Sequence, residues 1–163
     1  MASTHRTGMA GQLAVAAVFA RRGYNVAIPM IDEGEDLLIR NDTTRRVWSI
    51  QVKTATPRKP TKKHQKFQFG LSKEQLKNGP KELWYALVWP TTDPSGWGYL
   101  VIKRSTLLRY HEKKGAGSFN KKTGNITLNL SVPREETAPS PSVNTKSPSK
   151  APPKKRKAKV GRT

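Results

Sequence analysis

The sequence predicts one α/β domain over residues 1–132, with a mixed central β-sheet flanked by helices, and a disordered basic tail over residues 133–163. Segments of helical and strand periodicity alternate along the first part, and 163 residues suffice for one sizeable core. Beyond Pro133, proline, serine, threonine and lysine dominate and aromatic residues are absent. Such a segment cannot bury enough apolar surface to offset its ordering entropy, which predicts disorder.

The first predicted element is a helix over residues 7–22, with Thr7 as its N-cap and Gly23 as its stop. A short strand at 24–28 leads into an acidic loop over 30–35. Apolar runs at 37–39 and 47–54, separated by a turn-rich piece at 41–44, predict a hairpin. Further strands are expected at 67–69, 83–89, 97–102 and 125–130, with short helices at 72–77 and 104–113.

Charge is the strongest compositional signal, because 31 Lys and Arg face 11 Asp and Glu, a formal net charge of +20. The tail carries nine basic residues and two Glu, a net +7, so residues 1–132 hold the remaining +13. This excess predicts a polyanion partner, since each neutralised phosphate releases counterions. With no cysteine and only three scattered histidines, the sequence does not indicate a zinc site. No apolar run approaches the roughly 18 residues of a membrane span.

The predicted hairpin brings three polar groups together. Residues two apart on a strand share a face, so Gln51 and Lys53 point one way while Ile50 and Val52 point into a core. Antiparallel pairing then sets Asp36, at the start of the first strand, beside Gln51 and Lys53. A carboxylate, an amide oxygen and an ammonium group at one point of a rigid sheet suit metal-dependent phosphodiester cleavage. The alternative is an ordinary solvated strand face.

A basic, proline-containing loop over residues 57–66 follows Lys53 and contains no acidic residue. We expect its cations to contact a nucleic-acid backbone, although a solvated flexible loop has the same composition. These cations are Arg58, Lys59, Lys62, Lys63 and Lys66.

The order helix, strand, Asp-led strand, Gln-x-Lys strand, helix, strand resembles the PD-(D/E)XK nuclease superfamily, and within it small endonuclease domains similar to Holliday junction resolvases and Mrr-type restriction nucleases. The resemblance covers residues 6–110. It is carried by four segments, which are Gly8-Met-Ala-Gly11-Gln12, Arg22-Gly23-Tyr24-Asn25-Val26, Asp36-Leu-Leu-Ile and Gln51-Val-Lys53-Thr54-Ala55.

This resemblance implies a restriction-endonuclease-like core and a Mg²⁺-dependent DNA endonuclease, with Mn²⁺ able to substitute. Asp36, Gln51 and the backbone carbonyl of Val52 would hold the cation, which prefers oxygen ligands. Lys53 would orient or deprotonate the attacking water and stabilise the transition state. The expected substrate is double-stranded or branched DNA, and a homodimer or higher homo-oligomer is expected because one such site cuts one strand.

Two positions depart from the family pattern. Gln51 and Gln12 stand where relatives carry carboxylates, which leaves Asp36 as the only motif acid. The candidates to compensate lie in the acidic loop and are Glu35, Glu33 and Asp32. Two other functions therefore stay open, a catalytically inactive DNA-binding protein on the same fold and a basic RNA-binding or structural protein.

The tail ends in Pro152-Pro-Lys-Lys-Arg-Lys157, which resembles a monopartite nuclear localisation signal. A polybasic segment that adds nonspecific DNA affinity has the same composition, and we favour that interpretation. The expected location is cytoplasmic and nucleoid-associated, or nuclear if the segment is a localisation signal.

Overall fold

The computed structural model describes residues 4–31, 33–61, 63–91, 93 and 96–133. It contains three helices and nine strands in that part of the chain. In chain order they are α1 (Thr4–Arg21), β1 (Asn25–Ala27), β2 (Leu37–Arg40), β3 (Val47–Thr54), β4 (Thr56–Arg58), β5 (His64–Ser72), α2 (Lys73–Asn78), β6 (Leu83–Pro90), β7 (Trp97–Lys103), α3 (Arg104–Lys114), β8 (Ser118–Asn120) and β9 (Asn125–Pro133).

The central sheet has five strands in the order β1-β2-β3-β6-β7. Strands β3 and β6 are parallel, and all the other neighbours are antiparallel, so the predicted mixed sheet is confirmed. The hairpin of β2 and β3 is also confirmed, with Leu37 opposite Ile50. Strand β6 is apolar and buried on both faces, as its continuous hydrophobic run predicts.

Two hydrophobic cores cover the two faces of this sheet. Helix α1 packs on one face through Val15, which meets Ile39 and Ile50 of the hairpin. The opposite face packs against α2, α3 and a second sheet, antiparallel and four-stranded, in the order β4-β5-β9-β8. Residues from the second sheet that enter this core include Phe69 and Ile126. Helices therefore flank the central sheet on both faces, as the sequence predicts.

The structure differs from the sequence prediction in two segments. Helix α1 already includes Thr4, so Thr7 lies inside it and is not the N-cap; none of the intervening residues is a helix breaker. The segment 57–66 is not one loop, because Arg58 of β4 pairs with Lys66 of β5 in a hairpin. Pro57 is compatible with this hairpin since β4 is an edge strand, where a missing N–H is tolerated.

Most of the predicted tail lies outside the described residues. Strand β9 ends at Pro133, and residues 134–163, with the nuclear-localisation-like segment, are not among those described. The boundary at residue 132 therefore stays a prediction. Among the described helices, none has the length and apolar character needed to cross a bilayer.

Arg104 anchors the C-terminus of α2. Its side chain is 7% exposed and donates hydrogen bonds to the backbone oxygens of Pro80 at 2.8 Å, Leu76 at 2.7 Å and Lys77 at 2.9 Å. The last carbonyls of a helix have no intrahelical donor, and a cation near them is favourable. Arg104 thus satisfies acceptors that α2 cannot satisfy itself.

We expect Arg104→Met to lower the free energy of unfolding by about 3 kcal/mol, because buried carbonyls lose their donor while the hydrocarbon volume is retained. Urea unfolding followed by circular dichroism measures this change. The matched control is Lys103→Ala, which removes a 3.2 Å ion pair with Glu82 at the surface and is expected to cost at most about 1 kcal/mol. Equal losses in the two variants would contradict the anchoring role.

Tyr85 of β6 is fully buried, and its hydroxyl has no hydrogen-bond partner among the described residues. Burial raises the pKa of Tyr85 from 10.0 to about 12, an effect that the nearby charge of Arg104 opposes. The folded protein therefore holds the phenol proton more tightly than the unfolded chain does. Stability that depends on this proton is fully present below pH 10 and is lost as the pH rises towards 12.

We expect Tyr85→Phe to be at least as stable as the wild type at pH 7, since the substitution removes a buried hydroxyl without a partner. Above pH 10 the advantage of the Phe variant should grow, because only the wild type loses stability by phenol ionisation. Urea unfolding of both proteins at pH 7, 9, 10 and 11 tests this, and lysine titration common to both cancels in the difference. A difference that stays constant with pH would show that the pKa of Tyr85 is not raised.

Candidate active site

The side chain of Asp36 is fixed at the end of the β2–β3 pairing. Its backbone N–H donates to the carbonyl of Ile50 at 2.9 Å. Its carboxylate oxygen Oδ2 accepts a hydrogen bond from the backbone N–H of Val52 at 2.6 Å. Because both contacts come from the backbone of β3, the carboxylate is held against that strand. Asp36 therefore contacts the Gln51–Lys53 segment through the backbone of Val52.

Gln51 is buried, with 6% of its surface exposed, so an ordinary solvated strand face does not describe this position. It lies next to Tyr85 of β6, on the face opposite to Ile50. The oxygen Oε1 of Gln51 is buried and accepts no hydrogen bond from any described residue. An unsatisfied buried acceptor costs about 1–3 kcal/mol, so the site contains an oxygen that a donor or a cation would stabilise.

Lys53 follows two residues later on the same face of β3 and is half-buried. Adjacent same-face residues of a strand are about 7 Å apart, within reach of a lysine side chain. Strand β2 pairs with β3 only as far as Ile50, so this part of β3 extends beyond its partner. The backbone carbonyl of Val52 points to the same side as its N–H in an extended strand, which is the side of Asp36.

Gln12 of α1 contacts the site through the main chain. Its amide Nε2 donates to the backbone oxygen of Asp36 at 2.7 Å. The preceding residue, Gly11, is buried where α1 crosses β3, and a Cβ atom there would lie 2.2 Å from Oγ1 of Thr54. The absence of a side chain at Gly11 thus lets α1 approach β3 closely enough for Gln12 to reach Asp36.

The acidic loop is tied to α2, a contact that sequence reasoning missed. The carbonyl of Gly34 accepts a 2.8 Å hydrogen bond from Nε2 of Gln75. Gly34 has φ +96, and a Cβ atom would lie 2.1 Å from Nε2 of Gln75, so only glycine suits this position. Glu35 is half-buried directly before Asp36, Glu33 is exposed, and Asp32 lies outside the described residues. The chain offers no local signal for a contact between residues 41 positions apart.

Three groups of this site offer oxygen ligands to a cation. They are the carboxylate of Asp36, the amide oxygen of Gln51 and the backbone carbonyl of Val52. Hard divalent cations such as Mg²⁺ prefer these donors, and the oxygen of Gln51 that has no partner fits such a ligand. No group of three or more His, Cys, Asp or Glu side chains suited to a metal occurs in the described part of the chain. Any cation would therefore depend on neutral oxygens for most of its protein ligands.

The predicted basic residues lie along the β4–β5 hairpin, which begins two residues after Thr54. Arg58 and Lys66 are exposed on paired strands, and Lys59 and Lys63 are exposed in the connecting loop. Lys62 lies outside the described residues. The guanidinium of Arg58 donates a hydrogen bond to the side-chain oxygen of Gln68 on β5. The described cations are therefore carried by the β4–β5 hairpin and its connecting loop.

The fold is similar to that of a solved structure, the bacterial homing endonuclease I-Ssp6803I. The two structures superpose with a TM-score of 0.52 at 17% sequence identity, over 80% of this chain and 76% of the other. At this identity the likeness concerns the fold. No protein-family model matches the sequence. No curated protein matches it either.

The two glycines of α1 provide a test of the close helix–strand approach. We expect Gly8→Ala to raise the free energy of unfolding by about 0.5–1 kcal/mol, because a Cβ there meets nothing within 4 Å and alanine favours a helix. Gly11→Ala should instead lower it by about 1–3 kcal/mol, since the new Cβ collides with Thr54. Chemical denaturation of the two matched variants measures both changes.

A double-mutant cycle with Thr54→Ala then tests the cause. Adding Thr54→Ala to Gly11→Ala removes Oγ1, the nearest atom, and should recover part of the loss. If Gly8→Ala and Gly11→Ala change stability in the same direction, the close approach is not what requires glycine.

Proposed function

We propose that this protein is a Mg²⁺-dependent DNA endonuclease of the PD-(D/E)XK type, with Asp36, Gln51 and Lys53 at its active site. The observation that carries the proposal is that Val52 fixes the Asp36 carboxylate against β3, where the neighbouring residue Gln51 has a buried, unsatisfied oxygen. The fold it shares with a homing endonuclease and the net charge of +20 support the same substrate class.

In this proposal, Asp36, Gln51 and the carbonyl of Val52 hold the cation, and Mn²⁺ can replace Mg²⁺. The bound cation supplies positive charge at the scissile phosphate. The hydrogen bond from Val52 to Asp36 keeps one carboxylate oxygen in place, so little reorganisation is needed when the substrate arrives. Gln12 acts as a positioning residue, because it holds the backbone oxygen of Asp36. Glu35 is close enough in the chain to add negative charge.

Lys53 supplies the cationic side chain of the site. Its ammonium group would orient or deprotonate the attacking water and stabilise negative charge that develops on the phosphate oxygens. Lys53 lies two residues after Gln51 on β3, so its backbone is fixed in the central sheet. Fixed charge aimed at a developing anion is among the largest contributions to catalysis.

The β4–β5 hairpin would hold the DNA backbone through Arg58, Lys59, Lys62, Lys63 and Lys66. Phosphate contacts of this kind set the position and orientation of a duplex. Because one site cuts one strand, we propose that the protein acts as a homodimer when both strands are cut. Double-stranded and branched DNA are both candidate substrates.

A catalytically inactive DNA-binding protein is the second candidate. The observation that favours it is that Gln12 and Gln51 both lack the charge of a carboxylate, and that Gln12 uses its amide on the backbone of Asp36. Such a protein would keep the fold and the basic hairpin and bind DNA without cutting it. A basic RNA-binding protein is the third possibility that the composition allows.

The test is cleavage of supercoiled plasmid and of branched and single-stranded DNA with Mg²⁺ or Mn²⁺. We expect Asp36→Ala and Lys53→Ala each to lower the cleavage rate by about 10²-fold or more, because each removes a charge that acts in the transition state. DNA affinity, measured by fluorescence anisotropy with Ca²⁺ in place of Mg²⁺, should change far less. Circular dichroism establishes that the variants are folded.

Lys113→Ala is the control, since Lys113 is exposed in the last turn of α3 and belongs to no proposed contact. Cleavage that survives both site substitutions would refute the assignment of the active site. Binding of DNA without cleavage under any condition would favour the inactive DNA-binding protein. Selective binding of structured RNA would favour the third candidate.

A further inference from the structure

The second sheet has one face in the core and one face directed away from it. On β5 and β9 the alternate residues Phe67, Phe69, Leu71, Ile126 and Leu128 face the core. The other set of alternate residues forms what we call the outer face, and its members are exposed or half-buried. They are Arg58 on β4, His64, Lys66, Gln68, Gly70 and Ser72 on β5, Asn125, Thr127, Asn129 and Ser131 on β9, and Ser118 and Asn120 on β8.

The chemistry of the outer face is restricted to neutral hydrogen-bonding groups and cations. Strands β4, β5, β8 and β9 contain no Asp or Glu at all. A solvated sheet face needs only polarity and can carry charges of either sign. A face that presents amides, hydroxyls and cations without any carboxylate is complementary to a polyanion that also offers hydrogen-bonding groups.

Three of these side chains form a chain of hydrogen bonds across three strands. Arg58 donates to Oε1 of Gln68, and Nε2 of Gln68 donates to Oδ1 of Asn129 at 3.4 Å. Gln68 and Asn129 are direct partners in the register. The three side chains are thus held side by side on the outer face. Glutamine and asparagine pair with adenine through base edges in the major groove.

Gly70 is the second observation that points to a ligand. It lies in the middle of β5, where glycine weakens a strand, and is exposed opposite Thr127. Its φ is not in the left-handed region, and a Cβ atom there would meet nothing within 4 Å. Neither the backbone nor the packing of this chain requires glycine at this position. A glycine in a strand also occurs where a ligand approaches the backbone closely.

Lysines lie at both ends of the ribbon formed by β5 and β9. Lys59 and Lys63 are exposed in the β4–β5 connection, at the end where His64 pairs with Pro133. Lys121 and Lys122 are exposed in the β8–β9 turn, at the opposite end next to Asn125. Nine consecutive residue pairs separate the two ends, a length of about 30 Å. That length corresponds to about nine base pairs of duplex DNA, at roughly 3.4 Å each.

From these observations we propose that the outer face of the second sheet is a sequence-reading surface that enters the major groove of duplex DNA. Gln68 and Asn129 contact base edges, Gly70 lets the duplex approach the backbone, and Arg58 contacts phosphates together with the lysines at the two ends. The two base-contacting residues lie on β5 and β9, the central antiparallel ribbon of this four-stranded sheet, and the major groove admits a ribbon of that width. Side chains on one face of a strand recur about every 7 Å, or every two base pairs.

This inference rests on the proposed DNA substrate and adds specificity to it. Strand β4 begins at Thr56, three residues after Lys53. Three extended residues span at most about 11 Å, so the reading surface starts close to the proposed cleavage site. A protein built in this way would cut at a defined distance from the bases that it recognises.

The first experiment selects binding sites from a randomised double-stranded DNA library, with the full-length protein and Ca²⁺ in place of Mg²⁺. We expect a preferred sequence that binds at least tenfold more tightly than a scrambled duplex of the same composition. Gln68→Ala and Asn129→Ala should each reduce this preference about tenfold at one or two base pairs. Their affinity for the scrambled duplex should stay as in the wild type and in the Lys113→Ala control. Methylation by dimethyl sulfate should be blocked at guanine N7, which lies in the major groove.

The second experiment separates DNA contact from folding. We expect Gly70→Thr to keep or raise the melting temperature, since threonine favours a strand and has open space. The same substitution should weaken binding of the selected duplex at least tenfold, because the added side chain lies where the duplex approaches. Unchanged binding by Gly70→Thr would overturn the role of Gly70.

The remaining outcomes distinguish this inference from the proposed function. Tight binding or cleavage of DNA without sequence preference would overturn the reading surface and leave the endonuclease proposal intact. A preference that Gln68→Ala and Asn129→Ala both leave unchanged would do the same, as would protection confined to adenine N3 in the minor groove. Failure to bind or cut any DNA would refute the proposed function itself.

Discussion

The antiparallel pairing of β2 with β3 is the constraint on which the candidate site depends. With Leu37 opposite Ile50, the carboxylate of Asp36 reaches the N–H of Val52, and Gln51 lies beside Tyr85 of β6. A slip of one residue would exchange the two faces of β3 and turn Gln51 towards α1 in place of Ile50. The register is protected because Ile39 and Ile50 are buried together under α1. The packing of Ile50 in the core on one face of β3 thereby fixes the position of the polar residue Gln51 on the other face.

Helices α1 and α2 hold the surroundings of Asp36 from two sides. On one side, Gly11 allows close contact with Thr54, and Gln12 reaches the main chain of Asp36. On the other side, Gln75 of α2 holds the carbonyl of Gly34. These contacts restrain both segments that flank Asp36, although neither supplies a charged group. Neutral amides therefore do the positioning in a chain with a large excess of positive charge.

Sequence reasoning succeeded where the deciding information is local. The hairpin of residues 36–53 followed from two apolar runs and a turn between them, and the central position of β6 followed from its uninterrupted apolar run. The short helix predicted over 72–77 is confirmed as α2, and the structure shows Ser72 to be its N-cap, with a side chain that accepts a hydrogen bond from the N–H of Gln75. The contacts of Asp36 with the backbone of Ile50 and Val52 likewise follow from this hairpin.

The features that sequence reasoning missed depend on contacts between residues that are far apart in the chain. The sequence indicated strands near Phe67 and Ile126, but it contained no signal that they pair with each other in a second sheet. Residues 57–66 were read as a loop because proline and lysine disfavour strands, whereas the pairing with β5 outweighs that local preference. The contact of Gln75 with Gly34 and the buried state of Gln51 likewise depend on packing that no local pattern specifies.

The placement of β4, β5 and α2 between the parallel strands β3 and β6 has a consequence for how the chain folds. Strands that are neighbours in the central sheet are separated by the 28 residues 55–82, and β5 pairs with β9, which begins more than 50 residues after β5 ends. Pairings of such sequence separation form slowly, because loop closure costs entropy before contacts compensate. During synthesis, β5 can pair with β4, but its other edge has no strand partner until β9 leaves the ribosome. The chain therefore commits to its native topology late, when its last described strand closes the second layer over the first.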